Sequence, residues 1–387
     1  VIERAPARSA KPGEELVVEE RGHSLRPRVV DPTDERVETL RLPSGFRVSK
    51  FAEDLGSPRM LRVTGDGTVY VTRPHEGDVL ALRDADGDGR AEQRSTAISD
   101  LADVHDIAFV GDVPYLVTVK SVYRARPGAD GRPAKPEKIL DGMPDGGRHP
   151  NRTIAVGPDG WIYVSIGSTC NCCVEPHPEA AAIIRFDREG GQRALFATGL
   201  RNTIGFDWHP VTKGMWGMDH DTDWLGDDFP PEELNLLEQG KNYGWPWVHA
   251  DGVLPTTLAY PEGFDREGTL TRSTRPVLAY TAHGAPIQLA FYAATQFPEP
   301  YRNDAFVAMH GSWNRKPPTG YEVVRVDFED GKPVRFEPFL TGFLTDDGRT
   351  TFGRPTGIAV ARDGSLLVGD DETGVIYRVS HDGPPRG

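Results

Sequence analysis

Short β-type runs recur along this chain, and each pair is joined by a turn rich in Gly and Asp. The clearest pair lies between His149 and Cys173, HPNRTIAVGPDGWIYVSIGSTCNCC. RTIAV reads as a strand, GPDG as a tight turn, and WIYVSIGS as a second strand rich in β-branched and aromatic residues. The chain goes down and comes back. His149 and Cys170 to Cys173 are therefore expected at the same end of one hairpin.

The same pattern appears six times. Leu61 to Val63 turns through Gly65 to Gly67 into Thr68 to Thr72, and Asp106 to Phe109 turns into Tyr115 to Val119. Thr153 to Val156 leads to Ile162 to Ile166, and Ile204 to Trp208 to Met215 to Met218. Gln288 to Tyr292 leads to Ala305 to Met309, and Gly357 to Val360 to Ser365 to Val368. A third strand follows most copies, at Val79 to Leu82, Ser121 to Arg126, Ile183 to Asp187, Tyr321 to Phe328 and Val375 to Val379. Copies spaced by roughly 40 to 60 residues, with up to about four strands each, are the signature of a β-propeller. The expected fold is all-β, a six-bladed β-propeller with four-stranded antiparallel blades, over residues 38–387. Gly45 to Phe51 precedes the first copy and is placed to supply the outer strand of the last blade, closing the ring. Residues 1–37 are charged, contain Pro and lack periodicity, and read as an arm or linker.

In a propeller the first strand of each blade is innermost, and strand direction alternates. Residues before first strands and after second strands therefore share one rim. His105, His149, Arg201-Asn202, His283 and Gly353-Arg354 precede first strands. Arg73 to His75, Lys120, Cys170 to Cys173, the acidic Asp219 to Asp228, His310 to Lys316 and Asp370-Asp371 follow second strands. The opposite rim receives plain hairpin turns. This asymmetry predicts a site for a polyanionic, planar or metal-bound ligand.

Composition narrows the class. The 387 residues carry 44 basic and 58 acidic side chains, a net charge of −14, without a dense Lys/Arg run, so nucleic acid is not an expected partner. No apolar run approaches the ~20 residues that span a bilayer. The chain starts at Val1 without a signal peptide, as a processed form would. Three cysteines in four positions do not make a disulfide framework, and no second CxxC completes a four-thiolate zinc site.

With these motifs in view, the chain resembles the soluble quinoprotein sugar dehydrogenases that use pyrroloquinoline quinone (PQQ): the aldose, sorbosone and pyranose dehydrogenases. The resemblance spans about residues 40–380 and rests on the His149 to Cys173 stretch, GLRNTIGFDWHP, the DHDTDWLGDDFPPEELN…NYGWPW run, FVAMHGSWNR and GRPTGIAVARDGSLLVGDD. It implies PQQ across the channel mouth with a bound Ca²⁺. It implies His149 as the base taking a hydroxyl proton from a sugar or sugar aldehyde, and Arg201 and Asn202 near the quinone carbonyls. The main-chain carbonyls of Asp221 and Thr222 would face Ca²⁺. Arg315 or Lys316, together with Arg354, would meet the PQQ carboxylates. Glu233 and Tyr243 match positions that hold a structural Ca²⁺ in some members. Trp313 and His105 are candidates for the sugar. An external acceptor (quinone, cytochrome or dye), a periplasmic or secreted location and a monomeric or homodimeric state complete the expectation.

The chain departs from the glucose dehydrogenase branch in two places. Arg148 precedes the histidine and Pro150-Asn151-Arg152 follows it, and Thr356 stands where that branch has a second Arg. Two local features stay open at this level. The cysteines admit a Cys170–Cys173 or a Cys172–Cys173 disulfide, read as a clamp on the loop. Asp84, Asp86 and Asp88 form a DxDxDG that serves as a Ca²⁺ loop or a plain turn; Ser95 at position twelve rules out a full EF-hand. The rival functions are a metal-dependent lactonase or other hydrolase and a non-catalytic propeller that binds carbohydrate or protein.

Overall fold

The computed structural model describes residues 14–17, 19–126, 128, 134–345 and 348–382. Its framework is six four-stranded antiparallel sheets arranged as the blades of a propeller. Five blades are continuous in sequence, at 61–98, 106–140, 152–198, 203–280 and 286–340. The sixth combines Pro355–Val360, Leu366–Asp370 and Val375–His381 with an outer strand, Phe46–Ala52, from the start of the chain. The expected closure therefore forms, with Phe46 opposite His381 and Val48 opposite Val379. The fourth blade differs in detail from the reading above. Its third strand, which the sequence pattern leaves unassigned, is Glu232–Leu237, just beyond the acidic Asp219 to Asp228 run.

Burial explains the sequence pattern. The second strands Ile162–Ile166, Met215–Asp219, Ala305–Met309 and Leu366–Asp370 are buried throughout, because neighbouring blades cover both faces. They read as continuous apolar runs for that reason. Outer strands face water; Gln93–Ile98 is mostly exposed. A separate hydrophobic cluster fills each junction between blades. Val117 and Ile154 meet between blades 2 and 3, Phe196 and Phe206 between 3 and 4, and Phe306 and Tyr377 between 5 and 6.

At the channel the inner strands come close. A side chain at Gly205 would stand 2.5 Å from the Ile287 carbonyl oxygen, and one at Gly357 would stand 2.9 Å from that of Arg59. Polar groups then tie the ring across the channel. The buried Gln288 accepts from the Leu61 and Ile358 amides (3.1 and 3.0 Å) and donates to the Leu61 carbonyl (3.0 Å). Asp106 accepts from the Ile154 amide (3.1 Å) and pairs with Arg62 (2.8 Å).

Residues 14–17 and 19–30 lie along the rim that carries the histidines. The Leu16 amide donates to the Cys172 carbonyl and the Leu25 amide to the Trp313 carbonyl, each at 2.8 Å, while Arg28–Val29 pairs in parallel with Thr350–Thr351. The part of the expected arm at 1–13 falls outside the described residues.

Gln288→Ala should strip three cross-blade bonds at once. Its urea midpoint should drop by the equivalent of about 2 kcal/mol, since a lost partner leaves buried main-chain groups unpaired. An unchanged midpoint would mean that channel water replaces the carboxamide.

Candidate cofactor and active site

Strand alternation brings the segments before first strands and after second strands to one rim. On the side of blades 3 to 5 they enclose a cavity of about 440 Å³. Arg148 and His149 enter it ahead of blade 3, and Arg201 and Asn202 ahead of blade 4. His220, Asp221 and Asp223 come from the acidic loop, and Glu232 from the strand that follows it. His283 and Ala285 precede blade 5, and Trp313 and Asn314 follow its second strand. A smaller depression of about 230 Å³ on the same rim holds Arg59, His75, His105, Asn151 and Asp371.

His149 is oriented by Ser168. Its Nδ1 lies 2.8 Å from the Ser168 carbonyl and 2.9 Å from the hydroxyl, which itself donates to the Cys170 carbonyl (2.7 Å). A carbonyl only accepts, so these bonds assign the proton to Nδ1 and leave the lone pair on Nε2. Burial, and then the charge of Arg201, holds the imidazole well below the usual histidine range. It is a neutral acceptor at physiological pH.

Arg201 is buried and tightly held. Nε donates to the Asn171 carbonyl (2.8 Å), and Nη2 donates to Asn171 Oδ1 (2.9 Å) and Asp223 Oδ2 (2.8 Å). Its main chain is capped by Asp219, which accepts from the amides of Arg201 (2.9 Å) and Asn202 (3.0 Å) and from the Thr203 hydroxyl (2.6 Å). Asp370 repeats the device two blades on, accepting from the Arg354 amide at 3.0 Å. Burial pushes both Asp219 and Asp370 up to about 7.

The acidic loop turns oxygen into the cavity. Against the burial that would raise it, Asp221 is held below the ordinary carboxylate value by His249, 2.6 Å away. Asp223 also accepts from Asn314 (2.7 Å). Glu232 accepts from the Ala285 amide (2.8 Å), and burial raises it to about 8. His220 donates to the Pro286 carbonyl and is lowered by burial to about 4.

The predicted residues divide accordingly. His149, Arg201, Asn202, Asp221 and Trp313 share the main cavity; Thr222 is fully buried beside it, its hydroxyl accepting from Trp245 (3.1 Å). His105 lies in the smaller depression, with Nδ1 on the Arg152 carbonyl (2.7 Å). Arg315 pairs with Asp228 (2.7 Å) and does not line the cavity. Lys316 is exposed and has no ion pair among the described residues. Arg354 donates to the carbonyls of His310 (3.3 Å) and Gly311 (2.9 Å). Glu233 accepts from the Ala250 amide (2.7 Å), whereas the Tyr243 hydroxyl donates to the Leu236 carbonyl (2.5 Å); no bond joins the two side chains. Asp84, Asp86 and Asp88 sit on the opposite rim, where Glu92 joins their cluster. The cysteines pair as Cys170–Cys173, and Cys172 is a buried thiol.

Sequence reading missed Glu232, His220, Asn171 and Asn314 as individual residues. Two acids opening an apolar strand, EELNLL, were the available signal for Glu232. The others lay inside motifs noticed for neighbouring residues.

A family model described as TrAA12-like matches residues 40–252 and 256–382. An uncharacterised protein of Borreliella burgdorferi is 28% identical over 365 residues, covering 90% of this chain and 93% of that protein. A pyrroloquinoline quinone-dependent pyranose dehydrogenase of Coprinopsis cinerea is 27% identical over 183 residues, which cover 40% of this chain and 21% of that protein. Among solved structures, the calcium structure of Trichoderma reesei Carbohydrate-Active Enzymes Family AA12 superposes with a TM-score of 0.77 at 22% identity, covering 92% of this chain and 98% of that one. The holo form of the Coprinopsis cinerea pyranose dehydrogenase PQQ domain gives 0.75 at 19% identity, covering 89% and 97%. These two structural likenesses are likenesses of fold. No helix of the described residues is long and apolar enough to cross a membrane.

The buried acids set a pH dependence. Burial raises Asp106, Asp219, Glu232 and Asp370 to about 6, 7, 8 and 7. Each is raised above its unfolded value, so the folded chain holds more protons within each window and stability falls as pH rises through it. Histidines lowered to about 4, such as His220 and His310, act oppositely, but only below 6.5. In chelator, the melting temperature should therefore fall from about pH 6.5 to about pH 8.5. A level or rising profile in scanning calorimetry would contradict this.

Proposed function

The chain belongs to the TrAA12-like family, and from that premise we propose that it is a PQQ- and Ca²⁺-dependent dehydrogenase of an aldose or sugar aldehyde. In this reading 38–387 is the catalytic propeller, 1–37 its arm, and electrons leave to an external acceptor. The carrying observation is one cavity that joins a neutral, Ser168-oriented His149 to a buried Arg201 and to an oxygen-rich loop.

The residues suit such a ligand. Calcium takes oxygen donors, and Asp221, Asp223 and Glu232 bring carboxylates to the cavity. Among the described residues no hydrogen bond reaches the Asp221 or Thr222 carbonyl, which leaves both available to the ion. The Asn202 carboxamide is likewise unpartnered within the described protein. On the cationic side, Arg315 is engaged by Asp228 and Arg354 by two carbonyls, and Arg148, which lines the cavity, faces Glu15 at 3.8 Å; Lys316, exposed and without an ion pair among the described residues, is the freest of the expected cations.

When bound, PQQ supplies the acceptor for the hydride and Ca²⁺ polarises its carbonyl. The protein does the rest. His149 Nε2 takes the proton of the substrate hydroxyl, and the Ser168 contacts hold the ring so that Nε2 stays the acceptor. The Arg201 guanidinium stabilises negative charge arriving beside it. Trp313 offers an aromatic face to the sugar, backed by Trp224 at 5.3 Å. The Cys170–Cys173 disulfide supports an oxidising compartment, periplasmic or secreted.

Purified chain given PQQ and Ca²⁺ should reduce an artificial dye with aldoses or sorbosone, and neither addition alone should suffice. His149→Ala should lower kcat by about 10²- to 10⁴-fold. Since His149 lies well below 6.5, the acid limb of kcat/KM should fall below pH 6.5. Absence of PQQ binding would discard the dehydrogenase reading in favour of a hydrolase or a binding propeller.

A further inference from the structure

We propose that Asn171 is a positioning residue: from inside the turn closed by Cys170–Cys173, it fixes the Arg201 guanidinium against the acidic loop of the fourth blade. The inference rests on the reading of Arg201 as a cofactor-facing group.

Asn171 is 4% exposed and carries no charge. Its carbonyl accepts from Arg201 Nε (2.8 Å), and its Oδ1 accepts from both Arg201 Nη2 (2.9 Å) and the Asp223 amide (2.9 Å). Its Nδ2 donates to the Asp223 carbonyl (3.1 Å). The side chain thus spends both acceptor sites and one donor on two groups that line the cavity. A guanidinium is a rigid planar fork. Holding Nε and Nη2 fixes the plane and leaves Nη1 as the edge free to act, its contact with the His220 carbonyl being long at 3.5 Å.

Closing the turn does not require this side chain. The disulfide spans it, Glu15 accepts from the Asn171 and Cys172 amides (3.3 and 3.2 Å), Leu16 donates to the Cys172 carbonyl (2.8 Å), and Ser168 donates to the Cys170 carbonyl (2.7 Å). The carboxamide is spare for the loop and is used on Arg201. Ser168, just ahead of this turn and bonded to its Cys170 carbonyl, also orients His149, so the base and the guanidinium are held by neighbouring residues of one segment.

The test uses the full chain, titrated with PQQ in Ca²⁺ and followed by the absorbance of the bound quinone, with dye turnover alongside. Asn171→Ala should weaken PQQ binding and lower kcat by about 10- to 100-fold, the usual effect of removing a partner that orients a ligand-binding group. Its ligand-free crystal structure should show Arg201 displaced from Asp223. Asn171→Asp keeps an acceptor for Nη2 and should recover most of the affinity. Cys170→Ser combined with Cys173→Ser should shift binding in the same direction as Asn171→Ala. If the alanine variant does not fold, Asn171→Ser, too short to reach Arg201, carries the same expectation. Parental PQQ affinity with Arg201 unmoved in Asn171→Ala would overturn the proposal, and parental affinity in the double serine variant would overturn the part assigned to the disulfide. If the parent chain itself binds no PQQ, the dehydrogenase reading fails. The ligand-free structure of Asn171→Ala then decides alone: a displaced Arg201 supports the positioning role and an unmoved one overturns it.

Discussion

A ring of sheets has to close, and here the closure is one pairing: Phe46–Ala52 against Val375–His381. Without it Val375–His381 would be left unpaired on its outer side. Phe51 packs with Leu61 and Ile376 at that junction, so the pairing also completes the core between blades 6 and 1. The consequence for function is geometric. Only in a closed ring do the starts of the inner strands face one another. The segments ahead of blades 3, 4 and 5 are far apart in sequence, yet they meet around one cavity.

Closure brings the segments together, and buried acids then fix their ends. Asp219 and Asp370, each ending a second strand, cap the amides where Arg201 and Arg354 leave the main chain. A buried carboxyl costs stability unless it is hydrogen-bonded, and both are bonded to main-chain amides. Their raised values record the remaining cost of desolvation. Rim geometry is thus held by groups that do not themselves line the cavity.

The repeated strand–turn–strand pattern made the fold legible, because each inner hairpin is buried between blades and keeps its apolar run. The closing strand was legible by its place ahead of the first copy, which still needed an outer strand for the last blade. The third strand of blade 4 was not. Glu232–Leu237 opens with two acids, and acids read as solvated, whereas here Glu232 and Glu233 are 3% and 5% exposed. The cavity residues announced by a pre-strand position, His149, Arg201 and Asn202, could be named from sequence alone. What sequence could not show was partner choice. Nothing in HGSWNRK says that Arg315 reaches Asp228, and nothing in TCNCC says that Asn171 reaches Arg201. Such contacts join residues distant in sequence, and they are set by how loops pack across the rim.

The electrostatics of the cavity have an internal logic. A carboxylate beside His149 would raise its basicity and also favour the imidazolium at neutral pH. The structure instead orients the ring with an uncharged serine and places Arg201 near enough to lower its proton affinity. The result is a weak base that is available at neutral pH. On the proposed reading such a base suffices only if the hydroxyl it meets is made more acidic by nearby positive charge. Arg201 is suited to both tasks, and Asp223 and Asn171 hold it where it can perform them. The acidic loop beyond it gathers Asp221, Asp223 and Glu232 in the same cavity as Arg148 and Arg201, an oxygen-rich group that on the proposed reading receives Ca²⁺. The weak base and the oxygen-rich loop are therefore two sides of one arrangement, with Arg201 between them.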